Sequence, residues 1–151
     1  MTNAELQELG LPDIFLAIGD GTAPPNVRSS LWPTSGFLQK LPALAQAFPP
    51  AADYVPLYAL PASGVVAFDR RRRVYVRYYL GDTTDEVIAG DYEELCALIS
   101  IEMIEDGLDE ELDEIAPLFR FEHIAELKAY TEEHTEGTAE GMTREFMKTI
   151  R

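Results

Sequence analysis

A dense group of carboxylates occupies the stretch EDGLDEELDE at residues 105–114, and carboxylates can bind a cation or pair with the basic side chains of a partner. The calcium-loop pattern fails, because Gly107 directly follows Asp106 instead of standing five residues beyond the first ligand. A solvated helix face, a docking surface and a weak cation site remain open interpretations. The residues that we predict to contact a basic partner are Glu105, Asp106, Asp109, Glu110, Asp113 and Glu114.

Negative charge is concentrated around this stretch. The chain of 151 residues has 12 Lys and Arg against 27 Asp and Glu, which gives a formal net charge of -15. Residues 85–140 hold 19 of the acidic residues but only two basic ones, Arg120 and Lys128, so this part carries about -17 and the rest about +2. Such an excess disfavours phosphate backbones and anionic membrane surfaces and favours basic protein partners.

Four consecutive arginines, residues 70–73, stand apart from this acidic background. They lie between two strand patterns, which predicts the tip of a β-hairpin with the arginines in solvent, pairing with the acidic helices of the same chain. The absence of Gly and Asn predicts a longer loop or a type I turn. Contact with a partner, and a nucleic-acid or nuclear-localisation patch, are the alternatives, although a nucleic-acid surface needs a wider basic stripe.

Groups suited to catalysis are scarce. The two histidines, His123 and His134, do not have a metalloprotease spacing, and we predict surface or capping positions for both. The single cysteine, Cys96, repeats with the apolar residues of its helix, which predicts a buried thiol. We therefore predict no catalytic, cofactor-binding or metal-ligating residues and no cofactor, although 27 acidic residues make chance pairs of carboxylates unavoidable.

Four strands are predicted in the middle of the chain. The segments YVPLYAL from Tyr54, VVAFD from Val65, VYVRYYL from Val74 and EVIA from Glu86 are rich in β-branched and aromatic residues. The short connections between them predict an antiparallel meander. In the third strand, alternation predicts a drier face that contains Val74, Val76 and Tyr78.

Helical patterns flank these strands. A short helix is predicted at residues 4–9, followed by an irregular segment. The proline-broken segment that comes next, residues 26–53, permits only brief helices, such as one around residues 36–40 or 43–48. Asp91 and Glu94 predict the capped start of a helix that runs to about Glu105 and ends at Gly107. Further helices are predicted around residues 108–115, ended by Pro117, and from about residue 121 to 134.

The order of these features resembles the SUKH superfamily, which is typified by a fungal cell-wall synthesis regulator and by many immunity proteins of bacterial polymorphic toxins. The similar segments, within residues 6–104, are Gly10-Leu11-Pro12, Gly64-Val65-Val66-Ala67-Phe68-Asp69, Val74-Tyr75-Val76 and residues 91–99. The resemblance implies an α+β fold with a curved, mainly antiparallel sheet of about four to six strands and helices packed around it. Two features depart from the family: the arginines replace a Thr-Gly-type turn, and an acidic helical segment follows Leu108.

The sequence and the resemblance together predict a single domain, residues 1–151, whose tail at residues 135–151 frays apart from a helical turn or two after Met142. A single cysteine favours a reducing compartment, and we expect a cytoplasmic protein. The expected function is that of a non-enzymatic immunity protein that neutralises a cognate bacterial toxin with its acidic surface. The expected partner is a basic toxin domain, not a nucleic acid or a membrane. A regulatory or scaffold module and, last, a small carboxylate-dependent hydrolase are the alternatives.

Overall fold

The computed structural model describes residues 1–34, 53–61, 64–79, 82 and 84–151. The chain divides into two compact units, Met1–Ile88 and Ala89–Arg151, and the prediction of a single domain stays a prediction. The fold is α+β with an open, four-stranded antiparallel sheet, which confirms the predicted class. None of the described helices has both the length and the apolar character needed to cross a bilayer. The brief helices predicted within residues 36–48 fall outside the described residues.

Three short helices begin the first unit: α1 (Asn3–Leu9), α2 (Ile14–Gly19) and α3 (Pro25–Ser30). Helix α1 was predicted, and it starts with a capping box in which Thr2 and Glu5 each bond the other's backbone N–H. The prediction of an irregular segment after α1 was wrong. Ile14 and Ile18 share one face of α2 and are buried, and Pro25 fits the first turn of α3, where its missing N–H costs nothing.

The sheet consists of β1 (Tyr54–Leu60), β2 (Gly64–Asp69), β3 (Val74–Tyr79) and β4 (Glu86–Ala89) in the order β1-β2-β3-β4, as the predicted meander requires. β2 is antiparallel to both of its neighbours, with Asp69 opposite Tyr54 and Val74. All six residues of β2 are buried, as expected for a strand inside the sheet and covered on both faces.

One face of the sheet carries a small apolar cluster of Val65, Ala67, Val76 and Tyr78, with Tyr54 and Val74 packed against it. The predicted drier face of β3 is therefore confirmed. The opposite face of β3 is not uniformly exposed to solvent, because Tyr75 is also buried. The Tyr75 ring lies 5.2 Å, centroid to centroid, from that of Phe68. Cross-strand aromatic pairs of this kind stabilise both faces of the hairpin.

The second unit is helical and is built around α4 (Tyr92–Glu105). The predicted N-cap is confirmed, since the Asp91 side chain accepts a hydrogen bond from the backbone N–H of Glu94 at 2.9 Å. All seven residues from Leu95 to Ile101 are buried, so α4 is enclosed nearly all round rather than along one stripe. It is the central helix of this unit.

Three helices and a 3₁₀ turn complete the second unit: α5 (Leu112–Ile115), the 3₁₀ turn Ala116–Phe119, α6 (Ile124–Glu133) and α7 (Ala139–Ile150). Helix α5 ends before Pro117, as predicted, but the chain continues as a 3₁₀ helix in which Pro117 occupies the first turn, where its missing N–H costs nothing. Helix α7 has 12 residues, more than the predicted turn or two. Its buried residues include Met142, Phe146 and Met147, and α7 packs against α4.

Candidate functional site

The acidic segment, residues 105–114, begins where α4 ends. Asp106 is the C-cap, and Gly107, at φ 80°, takes the left-handed conformation that favours glycine. The N–H of Gly107 bonds the Ile104 carbonyl at 2.9 Å, and the N–H of Leu108 bonds the Met103 carbonyl at 2.9 Å. These two bonds form a Schellman motif, which stops the helix and turns the chain toward α5.

Burial of apolar neighbours holds the acidic segment in place. Leu112 and Ile115, spaced by three residues on α5, are 0% and 1% exposed. Because these two side chains anchor the segment from one side, the acidic side chains face solvent. The predicted partner-binding residues are all exposed: Glu105, Asp106, Asp109, Glu110, Asp113 and Glu114.

A cleft of about 520 Å³ lies beside the segment. It brings together three of the six predicted residues, Asp109, Glu110 and Asp113, but not the other three. The remaining lining residues are Ile104 at the end of α4 and Lys128, Thr131 and Glu132 of α6. Lys128 and Glu132 were not predicted as site residues. Their spacing of four places them on one face of a helix, but no pattern in the sequence relates that face to the acidic segment.

Lys128 neutralises one carboxylate of the segment. Its Nζ atom lies 3.0 Å from Asp113 Oδ1, and the Lys128 side chain is the less exposed of the two. Across the described ranges, four of the predicted residues have no basic side chain within ion-pair distance: Glu105, Asp109, Glu110 and Glu114. The acidic segment therefore retains most of its charge at the surface.

Local helix electrostatics do not favour acids at the end of α4. The C-terminal end of a helix carries a partial negative charge, so a carboxylate such as that of Glu105 is repelled there by about 0.3–1 kcal/mol. Helix α4 has acidic residues in its first turn, where they are favourable, and no basic residue in its last turn. The carboxylate of Glu105 thus does not stabilise its own helix.

The arginine turn, residues 70–73, provides a contrast within the first unit. It joins β2 to β3, which confirms the predicted hairpin tip. Asp69 organises the turn: its Oδ1 accepts the N–H of Arg71 at 2.8 Å and that of Arg72 at 3.1 Å. Its carbonyl accepts the N–H of Arg73 at 2.8 Å. Arg73, at φ 56°, occupies the left-handed position usually taken by Gly or Asn.

Three of the four arginines pair with carboxylates of their own unit. Arg70 Nη2 lies 3.2 Å from Glu8 Oε2 and 3.5 Å from Glu5 Oε1 on α1, a helix outside the acid-rich stretch of residues 85–140 whose helices were the predicted partners. The other pairs are with residues close to the strands: Arg71 with Asp53, and Arg72 with both Asp69 and Asp85. The turn is exposed, but carboxylates of the same unit neutralise three of its four positive charges.

Burial of its carboxylate makes Asp69 the most constrained group in the turn, with a side chain only 5% exposed. Burial alone would raise the pKa of Asp69, but the hydrogen bonds from the Arg72 side chain and from the N–H groups of Arg72 and Arg71 outweigh it and lower the pKa. The side-chain hydrogen bonds to Asp69 and to Asp85 raise the pKa of Arg72. Burial and the hydrogen bond to Asp85 raise the pKa of Tyr54 to about 12.

The remaining candidate groups have structural positions. Cys96 is buried, as predicted, and burial raises the pKa of its thiol to about 12, which removes the thiolate needed for nucleophilic attack near neutral pH. His123 Nε2 lies 3.2 Å from Glu93, and His134 stacks on Tyr130 at the end of α6. Within the described part of the chain, no group of three or more His, Cys, Asp or Glu residues is arranged to hold a metal ion.

Comparison of the chain with protein families, with curated proteins and with solved structures gives no match. The resemblance to the SUKH superfamily therefore stays a prediction.

Proposed function

We propose that this protein is a non-enzymatic binding module that docks a basic protein partner on its acidic segment. The observation that carries the proposal is the exposure of all six predicted carboxylates, of which four have no basic side chain within ion-pair distance among the described residues. Such a surface lowers its free energy when a partner brings the missing positive charge.

The distribution of charge supports the same proposal. About -17 of formal charge falls within residues 85–140, so the field around the segment attracts basic partners over distances up to the Debye length, about 8 Å at physiological salt. Electrostatic attraction of this kind speeds association and rejects acidic competitors. The arginine turn does not compete for that role, because three of its four guanidinium groups are already paired within their unit.

The resemblance to SUKH proteins suggests the class of partner. We propose a bacterial toxin domain, neutralised in the cytoplasm by an immunity protein that covers its active surface. A toxin that acts on nucleic acid needs a basic groove for the phosphate backbone, and the acidic segment is suited to occupy such a groove. A regulatory or scaffold module that binds an endogenous basic protein would use the same segment, and the identity of the partner distinguishes the two.

A carboxylate-dependent hydrolase ranks last among the proposals. It would take its pair of carboxylates from Asp109, Glu110 and Glu132, which line the cleft beside the acidic segment together with Asp113, itself paired with Lys128 at 3.0 Å. General acid and base catalysis requires two carboxylates that can each exchange a proton with the substrate. Binding without turnover is the simpler use of this surface.

The test is affinity capture from host-cell lysate with the tagged protein and two variants of equal charge. One variant neutralises the six predicted residues with Glu→Gln and Asp→Asn substitutions. The matched control neutralises six other exposed acids: Asp13, Asp20, Glu122, Glu126, Glu133 and Glu136. Each set raises the formal net charge of -15 by six.

We expect the wild type and the control to capture a basic protein that is released by high salt, and the variant of the acidic segment to lose it. A partner encoded beside the gene and secreted as a toxin would identify an immunity protein, whereas a housekeeping protein would favour the scaffold. Equal capture by both variants, or capture that resists high salt, would contradict docking on the acidic segment.

A further inference from the structure

Asp85 connects three parts of the first unit that are distant in sequence. It immediately precedes β4, and its side chain is only 11% exposed. Its Oδ2 atom accepts a hydrogen bond from the Tyr54 hydroxyl of β1 at 2.8 Å and another from the Arg72 guanidinium of the arginine turn. Arg72 in turn is held by Asp69, the residue that caps the turn. A single side chain, Arg72, thus joins two largely buried carboxylates.

The strand that follows Asp85 has little apolar contact at its start. β4 is an edge strand of four residues, and its first two, Glu86 and Val87, are exposed, with Val87 at 41%. The contact that the Glu86 side chain makes is ionic, with Arg77 of β3 at 3.0 Å. Only Ile88 and Ala89 are buried. The first half of β4 is therefore attached to the sheet by charged groups more than by packing.

We propose that Arg72 and Asp85 form a latch that keeps the edge strand β4 on β3, and that breaking the latch releases β4 while β1, β2 and β3 stay folded. Hydrogen bonds between charged groups are about twice as strong as neutral ones, which suits a contact that must hold a strand with so little burial. The central strand β2 is buried along its whole length and resists opening. Proteins open locally at such weak edges well below the cost of global unfolding.

Release of β4 has a defined structural consequence. β3 would lose the neighbour that bonds its outer edge, and a row of backbone N–H and C=O groups would become available to another strand. The latch is thus a conformational device that controls whether this edge is open. The inference does not depend on the proposed function, since no residue of the acidic segment takes part.

Hydrogen exchange followed by mass spectrometry tests the latch in the full chain. Arg72→Gln removes the contact from one side, and Asp85→Asn removes the charge from the other while it can keep an acceptor for Tyr54. Arg71→Gln is the matched control, because it deletes the same charge from the same turn but loses only a pair of 4.0 Å between side chains that are 78% and 31% exposed. The backbone bonds to Asp69 are available in both arginine variants.

We expect Asp85→Asn to speed exchange in peptides covering β4 by about ten-fold and to change exchange in peptides of β2 by less than about two-fold. Arg72→Gln should speed exchange of β4 at least as much, and it should also speed that of β2, because the largely buried Asp69 loses its charged partner. Arg71→Gln should change exchange in either strand by less than about two-fold. Raising salt should speed exchange of β4 in the wild type and have little effect in Arg72→Gln. The proposal is overturned if Asp85→Asn leaves exchange in β4 unchanged or speeds exchange in β2 and β4 equally, or if Arg71→Gln speeds exchange in β4 as much as Asp85→Asn does.

Discussion

The arginine turn and the acidic segment are both runs of like charge, and the structure uses them differently. In the turn, Arg70, Arg71 and Arg72 reach carboxylates of the same unit, contributed by α1 and by residues next to the strands. In the acidic segment, four of the six predicted residues have no such counterion among the described residues. The first run is neutralised within the fold, whereas the second keeps its charge for the surroundings.

This difference shows why a run of charge in a sequence does not reveal its role. The run gives the sign of the charge, but its role depends on whether opposite charges arrive from distant parts of the chain. Where they do, the charges hold elements together and their loss lowers the free energy of unfolding. Where they do not, like charges repel, and a partner of opposite sign relieves the repulsion.

The largest effect is expected from Asp69→Ala in the arginine turn. The substitution removes the acceptor for two backbone N–H groups and the largely buried partner of Arg72, and we expect a loss of about 3 kcal/mol. Asp53→Ala, which breaks one exposed pair with Arg71, should cost less than about 1 kcal/mol. Urea unfolding measures both. Equal losses would mean that the turn is no more than a set of surface ion pairs.

Acid should weaken the turn in a predictable range. The pKa of Asp69 is lower in the folded protein than in the unfolded chain, so its contribution is complete above the unfolded value of about 3.9 and is lost as pH falls through the folded pKa. The difference in unfolding free energy between the wild type and Asp69→Asn should stay constant from about pH 7 to 5 and shrink below about pH 4. A difference that grows toward acid pH would contradict the assigned hydrogen bonds.

A moderate effect is expected from Gly107→Ala at the start of the acidic segment. The backbone there is at φ 80°, and no atom lies within 4 Å of the position of an added Cβ, so the cost is that of the left-handed conformation alone. We expect a loss of about 1 kcal/mol in a thermal or urea unfolding experiment. A neutral result would show that the Schellman turn can rearrange and that it does not fix the start of the acidic segment.

The smallest effects compare two charge reversals in the second unit. Glu105→Lys places a cation in the last turn of α4, and we expect a gain of about 0.5 kcal/mol in unfolding free energy. Glu126→Lys makes the same change of charge in the first turn of α6, where the dipole favours the acid, and should cost about 0.5 kcal/mol. Effects of the same sign would indicate that net charge, rather than position on a helix, governs stability here.

Local signals predicted much of the fold. The β-branched and aromatic residues predicted the strands. Asp91 and Glu94 predicted the start of α4, because a helix cap is formed by residues within one turn of each other. Helix α2 was missed, since its six residues form a helix only when burial of Ile14, Phe15 and Ile18 favours it. The 3₁₀ helix Ala116–Phe119 was missed because a proline, which ends an α-helix, fits the first turn of a 3₁₀ helix equally well.

The candidate site was predictable in outline only. The exposure of the acidic residues follows from the spacing of Leu112 and Ile115, which the sequence displays. Pairing of Arg72 with Asp85 and of Lys128 with Asp113 joins residues 13 and 15 positions apart, and such partners are fixed by the fold rather than by any local pattern. Because such pairs join residues that are distant in sequence, the contact between Arg72 and Asp85 beside β4 and the position of Lys128 in the cleft were visible only in the structure.

The most direct test of the contrast is the dissociation constant of the captured partner for the wild type, for the variant of the acidic segment and for a variant with Arg70, Arg71 and Arg72 changed to Gln. We expect the acidic variant to bind at least about ten-fold more weakly, and the arginine variant to bind within about three-fold of the wild type although it is less stable. Weaker binding by the arginine variant with unchanged binding by the acidic variant would contradict the account and assign the docking surface to the arginine turn.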